Sequence, residues 1–226
     1  MSASINPDII TDGLVLCLDA GNPASYPGSG TLWTDLSGNG NNGTLTNGPT
    51  FDSTNKGSIV FDGTNDYVAT SLALPSPVTT PTTFDIIFRN NSATAGSKGL
   101  IGASAYASSG FSVGLINGQA NMRHTYNASG SAFEGNFVYN TSTITHGTFI
   151  FNGRNIIGYR NTTSVLSTTA GFDAVANSNG ISIAYNQQGG WTFSQVNIYV
   201  VRIYNRVLSV SEIIQNYNAT KGRYGL

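Results

Sequence analysis

Apolar and polar residues alternate with a period of two along much of the chain. In "TTFDIIFRN", Phe84, Ile86 and Phe88 fall on one face of an extended segment and Asp85 and Arg89 on the other, the pattern of a strand with one buried face. "GLVLCLDA" predicts an early strand. "GSIVFDG" and "DYVAT" predict two more, joined through Gly63-Thr64-Asn65. "FSVGLI-NG-QANMRHTY" and "GTFIF-NG-RNIIGYR" each set Asn-Gly between strand-like flanks, and Asn-Gly supplies the positive φ angles of a tight hairpin turn. "GISIAY" and "QVNIYVVRIYN" add late strands, the second too continuously apolar to be exposed. Leu14, Leu16, Leu18, Phe61, Phe84, Ile86, Phe88, Val200 and Ile203 are the expected residues of a core between sheets.

The period changes only near the end. In "LSVSEIIQNYNATKGRYGL", Ser209 and Glu212 have capping-box spacing, and Ile213, Ile214 and Tyr217 form an apolar stripe. This predicts a short helix over 209–220 that stops near Gly222. "LPSPVTTPTT", residues 74–83, reads as a connection between strands. With no internal repeat and no linker-like shift in composition, residues 1–226 read as one all-β domain with one C-terminal helix and residues 1–12 as an N-terminal arm.

Composition narrows the function. Charged residues are 9% of the chain and the formal net charge is −1, which argues against electrostatic binding of nucleic acid or membrane surfaces. Asn, Ser, Thr and 27 Gly supply the polarity, a neutral, amide- and hydroxyl-rich surface suited to sugars or to close packing in an assembly. Cys17 is the single cysteine and is expected to be a small core residue. "MSASINPDIITDG" has neither a basic start nor an apolar run, so no secretory signal is expected, and no stretch approaches a membrane span. The N-x-S/T triplets at Asn42, Asn127, Asn140, Asn161 and Asn218 read as chance.

Several motifs match catalytic patterns by spacing alone. "GNGNNG", residues 38–43, has the spacing of a dinucleotide fingerprint, but Asn47, Gly48 and Pro49 forbid the helix that the fingerprint needs. "GFSVG", residues 110–114, matches a nucleophile elbow, yet it continues into a hairpin, so Ser112 reads as an ordinary strand residue. A glycanase needs two closely placed carboxylates. Glu212 is claimed by the helix cap, Glu134 has no acidic neighbour, and Gly63 separates Asp62 from Asp66. His124 and His146 lack metal-ligand spacing and read as surface or satisfied core residues. No catalytic constellation is expected.

Three stretches in this order, "LWTDLSGNGNNGTL", "SIVFDGTNDYV" and "VRIYNRVLSVSEI", resemble the laminin G-like branch of the concanavalin A-like lectins and glucanases. "DGLVLCLDAGNPASYPGSG" fits the same pattern, whereas residues 75–185 carry only strand alternation. The resemblance implies a jelly roll of two packed antiparallel sheets. The ending "NYNATKGRYGL" is similar to versions in bacteriophage and other virion proteins. In some family members the Gly-rich loop helps to hold a structural calcium. Asp35 would be its carboxylate here, with Asn41 and Asp19 as helpers. The preferred reading is that Asp35 hydrogen-bonds its own turn and no cofactor is held; on it, Asp35→Asn should be nearly neutral.

Sugar C–H faces stack on exposed rings, which makes Trp191, Tyr106 and Tyr126 the candidate ligand-binding residues, although core packing competes for Trp191 as it does for Trp33. The expected function is a non-catalytic structural protein of a virion surface: a capsid decoration, fibre or tail component. It would pack on other virion proteins or on copies of itself and touch host glycans. The alternative is a glycan-binding lectin or adhesin module of a cell, with a glycoside hydrolase a distant third.

Overall fold

The computed structural model describes residues 8–91, 97–105, 109–116, 119–125, 132–138, 143–171, 173, 180–186 and 192–226. Among these the chain forms sixteen strands and one α-helix. The first six strands are β1 (Leu14–Asp19), β2 (Leu32–Trp33), β3 (Gly43–Thr46), β4 (Thr50–Asp52), β5 (Ser58–Asp62) and β6 (Tyr67–Thr70). Five longer ones follow: β7 (Thr82–Asn90), β8 (Ser97–Ala105), β9 (Ser109–Ile116), β10 (Gln119–Thr125) and β11 (Ala132–Val138). The last are β12 (Ile144–Asn152), β13 (Asn155–Arg160), β14 (Thr163–Thr169), β15 (Ile181–Ile183) and β16 (Gln195–Tyr204), before α1 (Val210–Tyr224).

They make two antiparallel eight-stranded sheets, the jelly-roll sandwich that the resemblance implies. One runs β14-β13-β12-β7-β16-β5-β4, with β1 also paired to β16; the other runs β11-β10-β9-β8-β15-β6-β3-β2. β5 and β6, consecutive in sequence, lie in different sheets, so the 63–66 segment crosses between the layers. Phe84 and Phe151 of the first sheet meet Phe111 of the second, with ring centroids 5.1 to 5.8 Å apart. Leu16, Leu18, Trp33, Phe61, Ile86, Phe88 and Ile203 pack around this trio, buried as the alternation predicts.

Leu14 and Val200 do not join that core. β16 carries a bulge at Tyr199: Ile198 pairs with Phe88 and Val200 with Ile87, leaving one residue extra. An extra residue reverses the facing of everything beyond it. Val196, Ile198, Val201 and Ile203 therefore point inward, while Tyr199 and Val200 point outward beneath Tyr224. The bulge divides the pairing of β16, whose first half meets β5 and whose second half meets β1. A matching irregularity at Val15 turns Leu14 onto the outer face. In the second predicted hairpin, Asn152 pairs with Asn155, so Gly153 and Arg154 form the turn, one position later than expected. The first hairpin joins paired residues Ile116 and Gln119, but its Asn117-Gly118 turn lies outside the described residues.

The helix lies on the outer face of the β1-containing sheet. Its capping box is formed: Ser209 Oγ accepts from the Glu212 amide, and Glu212 Oε2 accepts from the Ser209 amide at 2.8 Å. Arg206 clamps Glu212 through bonds of 3.0 and 2.7 Å, and hydrogen bonding from Arg206 and Ser209 lowers the Glu212 pKa to about 2. The helix continues through Gly222 and ends at Gly225, whose left-handed φ of 67° suits glycine. What carries it past Gly222 is Arg223, which grips Asp19 at 2.6 Å through both nitrogens, and Tyr224, which buries against Tyr199. Its buried stripe is Ile213, Asn216, Thr220 and Tyr224; Ile214 is exposed and Tyr217 half-buried.

Two buried stripe residues are polar: Thr220 donates to the Asn216 carbonyl of its own helix at 2.8 Å, and Asn216 meets a polar patch of the sheet beneath. Asp85, 1% exposed, accepts hydrogen bonds from His146, from Thr148 at 3.2 Å, from Arg202 at 3.0 Å and from Asn216 at 2.9 Å. A carboxylate only accepts, so His146 presents its Nε2 proton. Burial alone would raise the Asp85 pKa, but the charges and hydrogen bonds of His146 and Arg202 outweigh it and hold the pKa below its ordinary value. Asn216 also donates to Tyr204 at 3.0 Å and accepts from the Ile10 amide at 2.9 Å, pinning the N-terminal segment. Helix, arm and sheet thus meet at one carboxylate.

Asn216→Ala should lower the melting temperature by about 6 °C, since losing these bonds and stranding their partners costs about 2 kcal/mol in a chain of this size. Because the folded pKa of Asp85 lies below 3.8, its contribution is present above that value and is lost as pH falls through and below it. Urea unfolding of the wild type should weaken from about pH 5 toward pH 2, and more steeply than in Asp85→Asn, which starts several kcal/mol lower with Arg202 unpaired. Parallel pH profiles would remove Asp85 from this role.

Candidate functional site

The Gly-rich loop is built around Asp35, which is 8% exposed. Its Oδ1 accepts from the amides of Cys17 at 2.8 Å and Ser37 at 2.9 Å; its Oδ2 accepts from the Ser37 hydroxyl at 2.8 Å and the Asn41 amide at 2.9 Å. Asn42 accepts from the Asp35 amide, and Asn39 and Asn41 donate their side-chain amides to the carbonyls of Leu14 and Val15. Asp19 is occupied by Arg223 and the Gly21 amide. The Asp35 and Asp19 carboxylates named for calcium are therefore engaged by donors of the protein itself, and Asn41 is held through its main-chain and side-chain N–H groups. Among the described residues no group of three or more His, Cys, Asp or Glu is placed to hold a metal.

The catalytic spacings resolve in the same way. Ser112 is buried within β9. Asp66 accepts from the Asp62 amide at 3.1 Å in the crossover, and Asp62 from the Thr64 amide. His146 and Asp85 form a buried pair sealed by Tyr217, whose ring lies 5.9 Å from the imidazole at 18°. A substrate cannot reach it. Cys17 is buried, and desolvation pushes its thiol pKa up to about 11 against the pull of Arg202, which keeps it protonated. No helix among the described residues is long and apolar enough to cross a membrane.

Trp191, Tyr106 and Tyr126 lie outside the described residues. Beside the segment that holds Trp191, Tyr67, Tyr185 and Phe193 form a half-buried cluster, with Tyr185 stacked on Phe193 at 4.3 Å. These rings mainly cover one another.

A concave feature among the described residues lies elsewhere, at the β4 edge of the first sheet. A cleft of about 280 Å³ opens between the loop after β1 and the turn after β4. Half-buried Phe51 gives it an aromatic wall, and Tyr26, only 4% exposed, packs behind it with ring centroids 5.6 Å apart and planes at 47°. Tyr26 is fixed by its hydroxyl, which donates to the Gly30 carbonyl at 2.8 Å. Exposed Pro23 and Pro27 form one rim, and exposed Ser53 and Lys56 the other. Gly21 and Gly57 touch on the floor: a Cβ on Gly57 would stand 2.7 Å from the Gly21 Cα, and one on Gly21 would overlap the Lys56 carbonyl and the Arg223 guanidinium. Asn55, Lys56 and Gly57 all have positive φ, at 49°, 69° and 103°, an uncommon run that fixes the Lys56 rim. Sequence reasoning missed this site because its walls come from two separate stretches, 20–28 and 51–57; Tyr26 between two prolines was its one visible signal.

The chain matches a family model described as the concanavalin A-like lectin/glucanases superfamily over residues 62–214. Among solved structures, the binding domain of botulinum neurotoxin serotype D superposes with a TM-score of 0.74 at 15% identity, covering 93% of this chain and 52% of that one. The ligand-binding domain of the same serotype, in complex with N-acetylneuraminic acid, gives 0.73 at 15% identity, covering 92% and 51%. A Trypanosoma rangeli sialidase in complex with 2,3-difluorosialic acid gives 0.67 at 16%, covering 93% and 34%. At these identities the likeness is one of fold, and the chain spans about half the length of the toxin domains. No curated protein sequence matches the chain.

If Asp35 serves its loop alone, chelators and added calcium should leave the melting temperature unchanged; a calcium-dependent rise would make the loop a metal site. The sequence-based expectation that Asp35→Asn is nearly neutral does not survive the geometry, since both oxygens accept and an amide nitrogen in place of either would face a donor. That variant should lose about 1–3 kcal/mol, read as a lowered denaturation midpoint.

Proposed function

The chain belongs to the concanavalin A-like lectin/glucanases superfamily, and from that premise we propose that it is a non-catalytic glycan-binding module, a lectin or adhesin, whose sugar occupies the Tyr26–Phe51 cleft. The cleft carries the reading. It pairs an apolar ring wall, suited to a sugar's C–H face, with a hydroxyl, an ammonium and main-chain groups that can address its hydroxyls. Its volume is close to that of small-ligand sites and fits one or two sugar rings exposed on one side.

The similar folds support a binding role over the virion structural role expected first from the sequence. Two of them are toxin binding domains, one in complex with N-acetylneuraminic acid. The sialidase offers the enzymatic counter-reading, but most of the acids described here are engaged: Asp12, Asp19, Asp173 and Glu212 with arginines, Asp35, Asp52, Asp62 and Asp66 with main-chain amides, and Asp85 in its buried network. None is left paired with a second free carboxylate in a cleft, as glycoside hydrolysis requires.

On a glycan array the purified chain should bind a restricted set of oligosaccharides. Phe51→Ala should weaken that binding about tenfold by removing one ring face, with little change in fold. An array without binding, or a Phe51→Ala variant that binds as the wild type does, would overturn this reading.

A further inference from the structure

We infer that the cleft selects sugars bearing a carboxylate, with Lys56 as the group that reads the acid. The inference rests on the glycan-binding reading above and adds the chemical class of the ligand. Lys56 lines the cleft, is exposed, and has no ion-pair partner among the described residues. Lysines elsewhere on the described surface are engaged: Lys98 donates to Thr192 at 2.9 Å, and Lys221 lies over the Tyr217 ring at 5.8 Å.

The surrounding charges leave this ammonium uncompensated. Asp19, the acid behind the floor, is matched by the bidentate Arg223, whose guanidinium sits against Gly21. Asp52, on the strand that carries Phe51, turns its carboxylate to Thr54, accepting from the amide at 2.8 Å and from the hydroxyl at 2.7 Å. Among these residues Lys56 is thus the positive charge at the rim without an ion-pair partner, while Asp52 keeps its negative charge turned to Thr54. The backbone fixes where that charge stands. Lys56 is held at φ 69° between Asn55 and Gly57, and its carbonyl packs on Gly21, so its side chain leaves the main chain from a set position beside the aromatic wall. A sugar ring laid on Phe51 would bring a carboxylate borne on the ring toward the Lys56–Ser53 rim. A sialic acid and a hexuronic acid share this chemistry.

The test is titration calorimetry of the full chain with 3′-sialyllactose, tetragalacturonate, lactose and maltotriose at low and high salt. At least one acidic sugar should bind about five-fold or more tighter than the neutral pair, a margin of the size expected for an exposed ion pair and reduced by salt. Which acidic arm binds identifies the source of the carboxylate. Lys56→Gln should abolish the preference, bringing the acidic sugars down to the affinity that the neutral pair has for the same variant, and Lys56→Arg should restore it, both with unchanged melting temperatures. Neutral sugars bound as tightly as acidic ones, or a preference that survives in Lys56→Gln, would overturn the inference and leave glycan binding standing. Absence of binding by all four, with an empty array, would overturn both.

Discussion

A carboxylate removed from water must be compensated where it sits, and the outer face of the first sheet is organised around that requirement. Asp85 lies in mid-strand on β7, facing away from the inter-sheet core, where a strand of an open sandwich would ordinarily meet solvent. The helix covers it instead. Compensation then draws on His146 from β12, Arg202 from β16 and Asn216 from α1, so three elements distant in sequence from β7 converge on its two oxygens. A buried ion pair adds little net stability over well-packed apolar residues, but removing one member is costly. Its effect here is to fix position: the helix can settle in one place, with Asn216 over Asp85 and Tyr217 over His146.

That placement reaches the candidate binding region. The last turn of the helix carries Arg223, which joins Asp19 at the end of β1 and rests against Gly21 on the cleft floor. A chain of contacts thus runs from the buried carboxylate along α1 to the cleft. The aromatic wall and the rim belong to the sheet edge, whereas the floor is held from behind by the helix.

Much of this was legible in the sequence. Strict alternation gave the inward faces of β7 and of β1 beyond its bulge, and the Ser209–Glu212 spacing gave the start of the helix, because these depend on near neighbours alone. The bulge at Tyr199 was not legible. A run of apolar residues on a strand buried on both faces looks the same with or without one extra residue, so Val200 was placed on the wrong side. The helix stripe was misjudged for a related reason: Asn216 looks solvent-facing until the polar sheet beneath it is known, and Thr220 until its hydroxyl is seen to bond its own helix. At the Gly-rich loop, Asp35 read correctly as a turn-former, but that both its oxygens are filled could be seen only with Cys17 and Asn41 in place. The cleft was the least legible, since nothing in sequence links Tyr26, Phe51 and Lys56.

The contact between Gly21 and Gly57 has a consequence for how such a site can diversify. Where two loops meet through main chain alone, there are no side chains whose replacement would alter the spacing between them. The depth of the cavity is therefore decoupled from the identity of the residues around its mouth. The side chains of Pro23, Ser53 and Lys56 stand above a base formed by Gly21, Gly57 and the Lys56 carbonyl, and they can be exchanged to suit a different occupant while the mould keeps its shape.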